Sequence, residues 1–78
     1  MARVDRNHLE LKYPNRNSIH GIVKATYFFF NYNEEIYFQI DTYGSNDREV
    51  QGIPSQKIQF DQKTAEIFIK ILKEGFKI

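Results

Sequence analysis

The first candidates for acid–base or metal chemistry are the two histidines, because imidazole titrates near neutrality and ligates metals. His8 and His20 stand twelve residues apart, which is not a metal-ligand spacing. Neither has an assignable partner, and a site shared with Asp41 or Asp61 would need a long-range approach that spacing does not supply. Asp41 and Asp47 do not have calcium-loop spacing, and no third carboxylate has a defined place beside them. Ser45 and Ser55 lack an identifiable activating base. Cysteine is absent, which removes disulfides, thiolate nucleophiles and thiolate metal sites. No phosphate-binding glycine motif, H-E-x-x-H or G-x-S-x-G occurs. These residues predict a chain that is not an enzyme and has no cofactor and no metal.

The charged residues offer binding chemistry instead. Eleven Lys and Arg against ten Asp and Glu give a formal charge of +1. That near balance disfavours strong non-specific nucleic-acid binding, which needs many neutralised phosphates. A local basic end exists in Arg3, Arg6, Lys12 and Arg16, which with Lys24 form the candidate nucleic-acid contacts. Their commoner role is a solvated basic surface. Asp47, Arg48 and Glu49 form a mixed-sign trio in a turn, a further candidate for contact with a charged partner.

Size limits what can position these groups. A chain of 78 residues has room for one domain, expected over 1–78 with residues 1–7 frayed. Such a chain supports one thin core, so efficient packing or self-association must compensate. The opening residues are too polar for a secretory h-region, and no run reaches the length of a membrane span. A cytoplasmic setting with no membrane partner is expected.

The organising element is Ile19–Tyr43. Two runs rich in β-branched and aromatic residues flank Asn33-Glu34, the pattern of a long β-hairpin. In the second arm Ile36, Phe38 and Ile40 alternate with Tyr37, Gln39 and Asp41, and the even positions are expected to face the core. The first arm carries Tyr27-Phe28-Phe29-Phe30, with large rings on both faces. A two-residue turn pairs Phe29 with Phe38 and Tyr27 with Ile40, sending Phe28, Phe30, Tyr32 and Tyr37 to the far face. A three-residue loop exchanges the faces. Without a glycine the joint does not choose between them.

Before the hairpin, Leu9, Leu11 and Tyr13 alternate with His8, Glu10 and Lys12 as a short strand ended by Pro14. After it, Gly44-Ser45-Asn46-Asp47 reads as a turn, and Glu49–Gln51 as a brief strand extension. Ser55–Asp61 alternates again, with Ile58 and Phe60 inward and Pro54 at the strand start. Asp61 then caps the one convincing helix. Ala65, Phe68, Ile69, Leu72 and Phe76 line one face, widened by Ile67 and Ile71. Gly75 is the expected stop, with Phe76 and Ile78 folding back as a clamp.

The expected fold is α+β: a three- or four-stranded antiparallel sheet on a long central hairpin, packed against one C-terminal helix. The expected function is a small protein-interaction or regulatory module, acting through an aromatic sheet face or by homodimerisation. Its candidate surface is Phe28, Phe30, Tyr32, Tyr37, Tyr43 and Arg48, and its partner another protein chain or a second copy. The alternative is a nucleic-acid-binding module using the same rings and the basic N-terminal residues.

Overall fold

The computed structural model describes residues 1–44 and 53–78. Strand β1 spans Ala2–Arg3, β2 Ala25–Tyr32, β3 Glu35–Tyr43 and β4 Pro54–Asp61, and helix α1 spans Gln62–Phe76. A 3-10 turn at Arg6–His8 follows β1. The sheet order is β1-β4-β3-β2, with β3 antiparallel to both β2 and β4 and β1 parallel to β4. The α+β arrangement of a hairpin-based sheet and one C-terminal helix is therefore present.

The hairpin adopts the two-residue turn, with Tyr32 opposite Glu35, Phe29 opposite Phe38 and Tyr27 opposite Ile40. Asn33 and Glu34 both take positive φ, 49° and 66°, the geometry whose twist matches paired strands. Asn tolerates it readily, whereas Glu34 carries a strain of about 1 kcal/mol. The gain is a continuous row of rings. Phe29 meets Phe38 at 5.3 Å, Phe38 meets Phe60 at 5.0 Å, and Phe60 meets Phe68 of α1 at 5.0 Å. This row joins all three long strands to the helix. At the other end of β3, Ser55 is an extra residue between Gln56 opposite Thr42 and Pro54 opposite Tyr43. Its hydroxyl donates to the Thr42 carbonyl at 3.2 Å.

At the N-terminal end, where fraying is expected, Val4 N–H donates to the Gln59 carbonyl at 2.8 Å, and Arg6 N–H donates to Thr64 Oγ1 at 3.0 Å. Three expectations are corrected. The fourth strand is β1, and residues 9–13 form no strand; their alternation has no neighbouring strand to pair with. Gly75 lies within α1, and Lys77 takes the left-handed position at φ 59° while Ile78 N–H donates to the Lys73 carbonyl. Phe76 and Ile78 do not fold back; both are exposed. The expected extension at Glu49–Gln51 lies outside the described residues. Among the described residues, no helix is long and apolar enough to cross a membrane.

The start of α1 behaves as its sequence predicts. Asp61 Oδ1 accepts from Thr64 N–H at 2.9 Å. That backbone hydrogen bond, with a second from the Thr64 side chain, holds the Asp61 carboxyl below its ordinary 3.8. Because the folded value is depressed, the stabilisation is complete above the ordinary aspartate range. It is lost as pH falls through the folded value. Asp61→Ala is expected to cost about 1 kcal/mol at neutral pH, and Asp61→Asn much less, since Asn caps nearly as well. Urea denaturation at pH 7 and in acid checks this: the wild-type advantage over Asp61→Ala should shrink in acid.

Candidate interaction surface

The two faces of the sheet differ in chemistry. On the helix face lie Ala25, Tyr27, Phe29 and Asn31 from β2, Ile36, Phe38 and Ile40 from β3, and Ile58 and Phe60 from β4. Helix α1 approaches β4, β3 and the 3-10 turn but not β2. Tyr27 and Phe29 consequently remain 70% and 65% exposed, and Ile36 is exposed beside them. Along α1 the exposure rises from Thr64 at 0% to Phe76 at 71%, with Ile69, Ile71 and Leu72 all exposed between. The first turn of the helix and the sheet enclose an apolar hollow of about 240 Å³ lined by Phe29, Ile36, Phe38, Phe60 and Ala65.

The far face carries the deepest burial in the sheet, which reverses the expectation that the even positions of β3 are the interior ones. Tyr37 is 8% exposed, and Gln39 and Asp41 are equally buried. The reason is local closure by neighbouring strands. Gln59 Nε2 donates to Gln39 Oε1 at 2.8 Å, and Gln39 Nε2 donates to Asp41 Oδ1 at 2.6 Å. This ladder ends on a carboxylate, so both amides are oriented by it. Tyr37 stacks on Phe30 at 5.7 Å and meets Tyr32 edge-on at 6.4 Å. Its hydroxyl donates to Glu35 Oε2 at 3.2 Å. Burial first, and then that hydrogen bond to a carboxylate, raise its pKa above 10.0.

Five of the candidate surface residues thus share the far face: Phe28, Phe30, Tyr32, Tyr37 and Tyr43. Phe28 and Tyr32 are exposed, Phe30 and Tyr43 half-buried, and Tyr37 buried. Tyr37 is therefore a support for the ring cluster and not part of its outer surface. Tyr43 is held by Thr26 Oγ1 at 3.1 Å and lies 5.2 Å from the Lys24 ammonium. Arg48 lies outside the described residues, as do Asp47, Glu49 and Ser45.

The basic candidates are separated. The Arg3 guanidinium sits 6.0 Å from the Tyr37 ring and joins Phe30, Tyr32, Tyr37 and Gln59 around a hollow of about 270 Å³. Arg6 is in the 3-10 turn, Lys24 is occupied with Tyr43, and Lys12 and Arg16 lie on the exposed segment before β2. His8 Nδ1 is 3.2 Å from Asp5 Oδ2, while His20 is exposed and remote. Among the described residues, no group of three His, Asp or Glu could hold a metal ion.

The bare β2 half of the helix face, where Tyr27 and Phe29 stay exposed, is what sequence reasoning missed. The width that Ile67 and Ile71 give α1, more than a thin sheet needs and available for an interchain contact, was legible.

Fold and surface together define a small α+β chain with exposed aromatic clusters suited to association. No protein-family model, curated protein or solved structure matches it.

Proposed function

We propose that this chain is a non-catalytic interaction module of the cytoplasm, regulatory in role, that works by associating with another polypeptide. The observation that carries this reading is the bare apolar part of the helix face, where Tyr27 and Phe29 of β2, Ile36 of β3 and Ile69, Leu72 and Phe76 of α1 are all exposed. Contiguous apolar patches of this kind mark contact sites.

The test is the native mass by sedimentation, for the purified chain and for the chain in extract of its source cells. A particle heavier than 9.3 kDa is expected in at least one of them. Tyr27→Ser combined with Ile69→Ser removes one exposed apolar side chain from β2 and one from α1, and should shift it toward the monomer without changing the far-ultraviolet circular dichroism. A monomer in both settings would sink the proposal.

One observation favours a second reading, a single-strand nucleic-acid contact. The Arg3 guanidinium stands beside Phe30, Tyr32 and Tyr37, and rings with a nearby cation can stack bases and hold phosphate. Titration with single-stranded DNA and RNA at two salt concentrations should show salt-sensitive binding that Arg3→Ala weakens. Absence of binding at low salt removes this reading.

A further inference from the structure

The edge of the sheet formed by β2 is open. In a two-residue hairpin the residues flanking the turn, Tyr32 and Glu35, exchange hydrogen bonds. Every second residue back along β2 then also turns its backbone toward β3. The bond from Tyr43 N–H to the Lys24 carbonyl at 3.0 Å confirms that parity. The intervening residues Ala25, Tyr27, Phe29 and Asn31 therefore direct their N–H and C=O groups away from the sheet. Among the described residues no backbone group pairs with them.

Nothing on β2 protects this edge. Its eight residues, A-T-Y-F-F-F-N-Y, hold no charge, no proline and no glycine, and its pairing with β3 is continuous from Ala25 to Tyr32. The other edge is managed differently. Strand β1 is only two residues long, Arg3 lies on it, and β4 begins at Pro54 beside a register irregularity. Charges, prolines and bulges are the usual protections of an edge, and a long apolar edge without them is a pairing template.

We infer that β2 pairs antiparallel with β2 of a second copy, across a two-fold axis at Phe28, to form one continuous eight-stranded sheet. This rests on the association reading above and gives it a partner and a geometry. The choice of a second copy follows from self-complementarity. With Phe28 opposite the partner's Phe28, Ala25 faces the partner's Asn31 and Tyr27 faces the partner's Phe29. All four outward-directed residues of each copy are then satisfied at once. Tyr27 and Phe29, the exposed rings of the helix face, become cross-strand aromatic pairs. The charges agree too. Antiparallel pairing brings the Lys24 end of one strand beside the Glu34 end of the other, whereas parallel pairing would align like charges.

The absence of cysteine makes the test clean. Residues opposite one another without mutual hydrogen bonds lie about 4.5 Å apart at Cα, within disulfide reach. Phe28→Cys should therefore form a covalent dimer on mild oxidation. Thr26→Cys should not, because its own copies lie about 13 Å apart along the paired strands. The Thr26→Cys/Phe30→Cys double variant should cross-link again, and it serves if Phe28→Cys does not fold.

Ala25→Pro removes an outward N–H while sparing the β3 ladder and the ring row, and should weaken self-association at least tenfold in sedimentation. Both results are required. A wild-type chain that stays monomeric at high concentration overturns the inference, while a heavier particle in source extract would still uphold the broader reading. A dimer that fails to cross-link through Phe28→Cys or the Thr26→Cys/Phe30→Cys pair, or that fails to respond to Ala25→Pro, overturns the edge geometry and leaves association through α1.

Discussion

Phe38→Ala should cost about 3 kcal/mol and leave little folded monomer. Phe38 is the central ring of the molecule, 5.9 Å from Tyr27, 5.3 Å from Phe29 and 5.0 Å from Phe60. Through Phe60 it is linked to Phe68, the ring that seats α1. Truncating a buried Phe costs about 3–5 kcal/mol, and half-burial of Phe38 places it at the low end. Total stabilities of small domains are about 5–15 kcal/mol, so such a loss is a large share. Chemical denaturation followed by circular dichroism reads the effect as a lower midpoint with an unchanged slope. A loss below about 1 kcal/mol would show that the ring row is not what joins sheet to helix. If the chain associates, the midpoint should also rise with protein concentration.

The second large effect is expected at Thr64, the one fully buried side chain among the described residues, at 0% exposure. Its hydroxyl accepts from Arg6 N–H at 3.0 Å and ties the N-terminal segment to α1 across 58 residues of sequence. Thr64→Val keeps the shape but leaves that N–H without an acceptor, at a cost of about 1–3 kcal/mol. Thr64→Ser should recover most of it. Hydrogen exchange provides a local readout: the Val4 amide, bonded to the Gln59 carbonyl, should lose protection in Thr64→Val and regain it in Thr64→Ser. The same change removes the side-chain hydrogen bond to the Asp61 carboxylate, so that carboxyl should move up toward its ordinary 3.8. Unchanged protection at Val4 would mean that β1 is held by its sheet pairing alone.

Much of the fold was legible because local signals agreed with one another. The alternation of Glu35–Tyr43 and of Ser55–Asp61, the Asp61 cap and the 3.6-residue apolar face of α1 each follow from periodicity or from one side chain's hydrogen bond. The candidate rings Phe28, Phe30 and Tyr32 were assigned correctly to one face, conditional on register. Register itself was not legible. Asn33-Glu34 accepts a two-residue turn only by holding Glu34 at positive φ, and the compensation, the row from Phe29 to Phe68, spans four elements. The fourth strand was misplaced for a similar reason. Ala2–Arg3 has no strand pattern; it becomes a strand because β4 offers an edge and Thr64 offers Arg6 an acceptor.

By itself, then, the amino-acid sequence determined an α+β chain built on one hairpin and one capped helix, with more apolar surface than one thin core can bury. Tertiary structure alone decided where that surface lies. Helix α1 crosses β4 and β3 and does not approach β2, which leaves the rings of β2 bare on the expected core face. An amide–carboxylate ladder meanwhile closes the face expected to be open. Periodicity reports which residues share a face. The reach of a helix across a sheet is set by its exit angle from the preceding strand and by long-range contacts, and those are absent from any local pattern.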